Sequence, residues 1–411
     1  MNTLNSKHII LGITGGIAAY KSAELTRRLR DAGADVRVVM TRAATEFVTP
    51  LTFQALSGNP VHTELLDEKA EAGMGHIQLA RWADAVLIAP ASANCLAKLA
   101  HGRADDLLTT LCLASEAPLA LAPAMNRVMW QDPATQDNVV TLKKRGVALF
   151  GPAVGSQACG ETGEGRLLDG PELVAALSSL FKSGLLQGID VLITAGPTYE
   201  PIDPVRFIGN RSSGRMGFAL ARAAREAGAK VTLISGPCHL TTPDDVQRID
   251  VETAAQMLTT VMQHIARNQI FISAAAVADY RPRVASQQKL KKQQAERIIE
   301  LERTEDILAQ VSQLEPRPFV VGFAAETENV ERNARKKLER KALDMIAANR
   351  VGKDANAQDI GFNSEYNALQ VISANGEVKL ELARKTALAR ELIKLIAEHY
   401  SKHRQQQEHT A

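Results

Sequence analysis

The stretch His8-Ile-Ile-Leu-Gly-Ile-Thr14-Gly15-Gly16-Ile17-Ala18 decides the fold. A short unbroken apolar run meets a glycine pair and passes directly into a helical repeat. Ala18, Ser22, Leu25, Leu29 and Ala32 share one face of a helix over Ile17 to Asp31. Ala32-Gly33-Ala34 then leads to a second apolar run, Val36 to Met40. This is the opening of a βαβ unit. The same sentence recurs as Asp190-Val-Leu-Ile-Thr194, the turn Ala195-Gly-Pro-Thr198, a helix faced by Met216, Leu220, Ala223 and Ala227, and the run Val231 to Ser235. The second copy carries an insertion, Tyr199 to Arg211, between strand and helix, where ligands dock in such sheets.

Working outward, apolar runs alternate with helical segments in both halves: 85–89, 119–122 and 147–150, then 270–275, 319–323 and 345–347. That alternation predicts two α/β domains of Rossmann-like type with mostly parallel sheets. Runs at 368–373 and 378–382 flank Ala374-Asn-Gly-Glu377 and predict an antiparallel hairpin on an Asn-Gly turn. The expected boundary lies near Gly184 to Gly188, giving domains 1–188 and 189–403 and a frayed polar tail over 404–411, its polarity beginning at Ser401.

The 411 residues suit two domains better than one. Lys and Arg number 48 against 46 Asp and Glu, so no excess positive field marks a nucleic-acid or membrane surface. Aromatics, at 4%, are too few for a base-stacking platform. The N-terminus lacks a signal-peptide core, and the apolar stretch Leu107 to Met125 is broken by Glu116, Pro118 and Pro123; a cytoplasmic protein without membrane partners is expected. Cys95, Cys112, Cys159 and Cys238 form no CxxC pair, which disfavours a zinc site or disulfide framework.

Neither glycine turn is a strict GxGxxG, and each would serve tight helix-on-strand packing as well as ligand approach. Position favours a phosphate, because each turn opens a helix whose free amides suit an anion. Pro90-Ala-Ser-Ala-Asn94 likewise precedes a helix, although simple capping would explain its serine. The segment Gly155 to Gly165 has glycines at 155, 160, 163 and 165 and presents one thiol, Cys159. Free cysteines are usually small buried hydrophobes; one in a glycine-rich loop suits a proton donor or nucleophile. In the second half, Asn210-Arg-Ser212-Ser213-Gly214-Arg215 puts hydroxyls and arginines at a helix start, an anion site by donor count. The basic stretch Arg281 to Arg297 reads as a solvated loop or as a lid bringing lysine to phosphates.

Gly15-Gly16-Ile17-Ala18, Gly75-His76-Ile77, Pro90 to Asn94, Pro123-Ala-Met-Asn126 with Met129-Trp130, and Ser156-Gln-Ala-Cys159-Gly160 resemble, in order, the flavin-dependent cysteine decarboxylases. The second half resembles the phosphopantothenate-cysteine ligases through Ala195 to Thr198, Asp203 to Arg206, Asn210 to Met216, Ala274 to Tyr280, Lys289-Leu-Lys291, Gly322 to Thr327, Lys337, Lys341 and Asn349. Together these are the marks of the bifunctional decarboxylase/ligase family of coenzyme A synthesis.

The resemblance implies a flavodoxin-like FMN domain with Gly15, Gly16, Ile17, Thr41, Ser92 and Asn94 on the cofactor. It implies His76 in the active site, Asn126 on the substrate carboxylate and Cys159 as the proton donor that completes decarboxylation of phosphopantothenoylcysteine. For the ligase-type domain it implies CTP held by Ser273, Ala274, Ala275, Asp279, Lys289, Asp306, Ile307, Phe323, Lys337 and Lys341, with magnesium at Asp279. Arg206, Asn210, Ser212 and Ser213 would bind 4′-phosphopantothenate, Asn210 at the acyl-cytidylate step, before cysteine displaces CMP. Thr304-Glu305-Asp306-Ile307 departs from the family's usual Asn-Pro-Asp-Ile. The resemblance also implies a homo-oligomer, trimers of one domain and dimers of the other building a dodecamer. Two other functions compete. A dehydrogenase needs an acid after the second strand, where Met40-Thr41-Arg42 and Ser235-Gly236-Pro237 stand instead. A merely regulatory second domain would have lost Asn210, Asp279 and Lys289.

Overall fold

Asp35–Met40 (β2) lies parallel beside His8–Ile13 (β1), with Ile13 opposite Met40, and on the other side Gly12 faces Ile88 of Ala85–Ala91 (β4). The loops leaving these strands therefore start at one level. The computed structural model describes residues 3–5, 7–65, 75–291, 297–326, 329–350, 352–353, 359–360 and 364–410. Residues 1–181 and 182–411 form two compact units.

In the first unit, Val61–His62 (β3), Leu119–Pro123 (β5) and Ala148–Leu149 (β6) complete a six-stranded parallel sheet in the order β3-β2-β1-β4-β5-β6. All seven residues of β4 are buried, as a strand covered on both faces requires. Leu25 and Leu29 pack with Ile9 and Leu11 on one side; Leu96 and Leu108 pack with Ile10 and Ile88 on the other. The helix expected over Ile17 to Asp31 begins as a tighter 3₁₀ turn, Ile17–Tyr20, and becomes α-helical only at Lys21–Asp31. The reason is packing at Gly15: a Cβ there would collide with Ala43, so the chain hugs the short helix Arg42–Thr45 after β2 before it can wind. Ala153–Ser156 (β7) and Thr162–Arg166 (β8) form a separate hairpin bearing Cys159 at its tip.

The second unit holds an eight-stranded sheet. Asp190–Ala195 (β9), Lys230–Ser235 (β12), Val246–Asp250 (β13), Ile270–Ser273 (β14), Phe319–Glu326 (β17) and Met345–Arg350 (β18) are parallel, in the order β13-β12-β9-β14-β17-β18. The expected hairpin then adds antiparallel Tyr366–Ser373 (β21) and Gly376–Arg384 (β22). Three two-stranded ribbons stand apart: Tyr199–Pro201 (β10) with Phe207–Gly209 (β11), Tyr280–Pro282 (β15) with Leu301–Arg303 (β16), and Gly352–Lys353 (β19) with Asp359–Ile360 (β20). The first ribbon is the insertion read from sequence, held by stacking of Tyr199 on Phe207 at 3.8 Å.

Two boundaries move. The division falls between Phe181 and Lys182 rather than at residue 188, because Leu186 is buried in the second core and Ser183 N donates to Glu226 O. The tail is not frayed: one helix runs from Lys385 to Thr410. Leu388, Leu392, Ile393 and Ile396 bury its inner face, and Tyr400 and His403 set their rings edge-on to Phe319. No helix among the described residues is long and apolar enough to cross a membrane.

Candidate functional site

Each sheet reverses its strand order once, between β1 and β4 in the first unit and between β9 and β14 in the second. Such a switch point leaves a crevice outside the carboxyl ends of the strands, because the two connections leave in opposite directions. In the first unit, Gly15-Gly16 and Ser92 follow the ends of β1 and β4, the two strands of the switch point. Thr14 Oγ1 ties them together, donating to Pro90 O at 2.7 Å and accepting from Ser92 N at 2.9 Å. Ser92 and Thr41 cap the helices Ala93–Ala100 and Arg42–Thr45 through Cys95 N and Ala44 N, so both hydroxyls have local work whatever else they hold. Ile17 and Asn94 are exposed. Three loops that leave adjacent parallel strands at one level thus bring together small residues, hydroxyls and one amide.

The Cys159 hairpin leans on the end of β5. Met125 N donates to Gly165 O at 2.9 Å, and a Cβ on Gly165 would collide with Met125 O, so this glycine permits the approach. Trp130 Nε1 donates to Glu164 Oε2 at 3.1 Å. Asn126 caps the helix Arg127–Gln131, accepting from Val128 N at 2.8 Å, and its Nδ2 lies 3.5 Å from Cys159 Sγ and 2.9 Å from Glu161 Oε2. Cys159 is exposed, whereas burial pushes the thiol of Cys112 up to about 12 and that of Cys95 still higher. Cys159 is therefore the accessible thiol among the four. His76 is half-buried at the start of the helix His76–Trp82; among the described residues it makes no hydrogen bond to Asn126 or Cys159.

In the second unit a cleft of about 790 Å³ opens over the switch point. Asn210, Ser212 and Ser213 line it, as do Ser273, Ala274, Ala275, Asp279, Asp306, Ile307, Phe323, Lys337 and Lys341. Gly217 brings the first turn of the helix Arg215–Glu226 against β9, since any Cβ there would strike Ala195. Asn210 Nδ2 donates to the carbonyls of Ala276 and Val277 at 3.2 and 2.9 Å. Lys337 Nζ donates to Phe323 O at 2.6 Å; burial, then the neighbouring Lys341, holds its ammonium below the ordinary lysine value. Lys341 pairs with Asp306 at 2.6 Å. Asp306 is held below the usual carboxylate value by that pair and by Ala309 N, against the opposing effect of burial.

Two expected residues stand outside this lining. Arg206 is held by the buried Asp203, and its guanidinium donates to Leu290 O at 2.8 Å. Asp203 also accepts from Leu290 N at 3.1 Å. Arg206 thus anchors the segment that carries Lys289, which is itself exposed. Lys292 and Thr327 lie outside the described residues. Conversely, Asn367 and Lys385 line the cleft although no local pattern singled them out, and Arg215, read from the sequence as part of the anion site at the helix start, lines it as well. Lys385 is 6% exposed at a strand-to-helix junction far along the chain, and only the sheet brings it there. Gln157 and Glu161 were likewise missed beside Cys159.

The chain matches the Flavoprotein family over residues 1–182 and the DNA/pantothenate metabolism flavoprotein C-terminal domain over residues 186–400. The coenzyme A biosynthesis bifunctional protein CoaBC of Vibrio vulnificus (strain YJ016) is 54% identical over 399 residues, covering 96% of this chain and 98% of that one. The protein of the same name from Escherichia coli (strain K12) is 50% identical over 403 residues, with 97% and 98% covered. A crystal structure of the C-terminal domain of a CoaBC protein is 41% identical, with a TM-score of 0.45, and covers 54% of this chain and 100% of its own. Two family matches laid end to end and half-identical relatives of the same length converge: the chain belongs to the CoaBC family of bifunctional coenzyme A biosynthesis proteins.

Proposed function

We propose that this protein performs two consecutive steps of coenzyme A biosynthesis: CTP-dependent ligation of 4′-phosphopantothenate to cysteine in the second unit, then FMN-dependent decarboxylation of phosphopantothenoylcysteine in the first. The observation that carries the reading is the end-to-end similarity to CoaBC proteins, which spans both units.

The geometry supports a division of labour. The loops at Gly15 to Ile17, Thr41 and Ser92 to Asn94 suit a phosphate-bearing planar cofactor, since backbone can approach closely there and hydroxyls are at hand. FMN, when bound, supplies the electron sink without which loss of carbon dioxide from the cysteinyl carbon would leave an unstabilised carbanion. Asn126 holds the substrate carboxylate through Nδ2, and Cys159, 3.5 Å from that nitrogen, delivers the proton. His76 contributes from the edge of the site.

In the cleft, Lys337 and Lys341 neutralise phosphate charge so that two anions can meet. Phe323 and Ile307 enclose the base, with Asp306 setting the position of Lys341. Asn210 braces the loop Ala274 to Val277 for the acyl-cytidylate step. No group of three or more His, Cys, Asp or Glu side chains that could hold a metal occurs among the described residues. Magnesium would be carried in mainly by the nucleotide phosphates, with Asp279 as its protein contact. Lys289 closes on the phosphates from the anchored loop, and the subunits assemble as trimers and dimers into a dodecamer.

Mass spectrometry of products formed from 4′-phosphopantothenate, cysteine, CTP and magnesium tests both halves together. Phosphopantetheine is expected; phosphopantothenoylcysteine alone would leave only the ligase assignment standing. Cys159→Ser should lower phosphopantetheine output at least about a hundredfold, the scale of general-acid catalysis, while CMP release persists.

A further inference from the structure

The side chain of Asn126 can point only one way. Its Oδ1 accepts from Val128 N at 2.8 Å, which turns Nδ2 toward the Cys159 hairpin as a donor. The group that takes this donor is a carboxylate: Glu161 Oε2 at 2.9 Å, with Gln157 Oε1 and Cys159 Sγ both farther away at 3.5 Å. The same Glu161 oxygen lies 3.3 Å from Arg127 Nε. An amide and a guanidinium from consecutive residues therefore converge on one carboxylate oxygen, two residues along the chain from the thiol.

We propose that Glu161 is an internal stand-in for the carboxylate of the cysteinyl substrate. It occupies a carboxylate subsite formed by Asn126 and Arg127, and the substrate must displace it. This rests on the decarboxylase reading above and extends it by assigning Arg127 to substrate recognition and Glu161 to specificity. Two carboxylates cannot share one amide donor without strong repulsion, so substrate entry requires Glu161 to swing out. It can do so readily, because its side chain is 42% exposed and glycines at 160 and 163 stand on either side of it. Once carbon dioxide has left, the product has no carboxylate to keep the subsite open. Glu161 returns, and discrimination between substrate and product follows from this exchange.

The test uses the FMN-loaded full chain. Glu161→Gln keeps the shape and removes the charge that competes with substrate. The KM for phosphopantothenoylcysteine should fall about threefold or more, the size expected for removing a partly screened charge-assisted contact. The Ki of phosphopantetheine, which lacks the carboxylate, should move less than about twofold, since no competing anion is involved. Arg127→Leu should raise the same KM without a matching change in that Ki. Should Glu161→Gln disturb the hairpin, Glu161→Ala supplies the same comparison. An unchanged or higher KM in both Glu161 variants, or an equal shift for both ligands, overturns the proposal. A wild-type enzyme that fails to turn over phosphopantothenoylcysteine instead overturns the decarboxylase reading and this inference with it.

Discussion

Lys385 illustrates how a side chain acquires a role through its surroundings. Burial, and then the nearby Arg215, pushes its ammonium down to about 8. It lines the ligase cleft, so its charge favours a phosphorylated ligand below that pH and fades as pH rises through it. Phosphate groups, with a last pKa of about 6, are already mostly ionised at pH 7 and gain only a little charge above it, a small opposing trend. Nucleotide affinity should therefore fall about three- to tenfold between pH 7 and 9, with Lys385→Met flattening the profile; calorimetric titration across that range measures it. Asp203 behaves oppositely. Hydrogen bonds from Arg206, reinforced by backbone donors at Val205, Leu290 and Arg206, hold its carboxyl well below the usual range despite burial. Its grip is complete above the unfolded carboxylate value of about 4 and is lost only as pH falls through the depressed folded value. Asp203→Asn should loosen the segment at Leu290 even at neutral pH, raising amide exchange there about tenfold, and should raise the KM for CTP through Lys289.

The helix Arg215–Glu226 and the strand β9 show why glycine spacing mattered more than motif identity. Gly217 was not singled out in the sequence, yet it sets how closely the helix start approaches the sheet, and hence where Ser212 and Ser213 sit. Gly217→Ala should cost about 1–3 kcal/mol by overpacking against Ala195. That lowers the melting temperature of the second unit by about 3–10 °C, which calorimetry would resolve from the first. The elements themselves were legible because burial on both faces gives β1, β4 and β9 continuous apolar runs of strand length. The 3₁₀ turn at Ile17–Tyr20 was not, since it follows the packing of Gly15 against Ala43 in the short helix after β2. The helix to Thr410 also escaped, because Ser401, Lys402, Arg404, Gln405 and Gln406 are exposed while Tyr400 and His403 find Phe319 only in the folded sheet.

Two compact units joined between Phe181 and Lys182 imply two separable folding units. Chains ending at Phe181 and beginning at Lys182 should each fold and divide the activities, FMN binding with the first and CTP-dependent pyrophosphate release with the second. A second chain begun at Ile189 should be less stable, because it lacks Leu186 from its core. Sedimentation of the intact protein would test the dodecamer. The repeated strand-glycine-helix opening sufficed to establish two α/β units and the strand ends beside their switch points, because periodicity and turn chemistry are local. Tertiary structure alone settled which side chains meet there. Long-range sheet order carries Lys385 into the cleft, ties Arg206 to Leu290 and sets Glu161 on Asn126, and none of these contacts leaves a periodic trace in the chain.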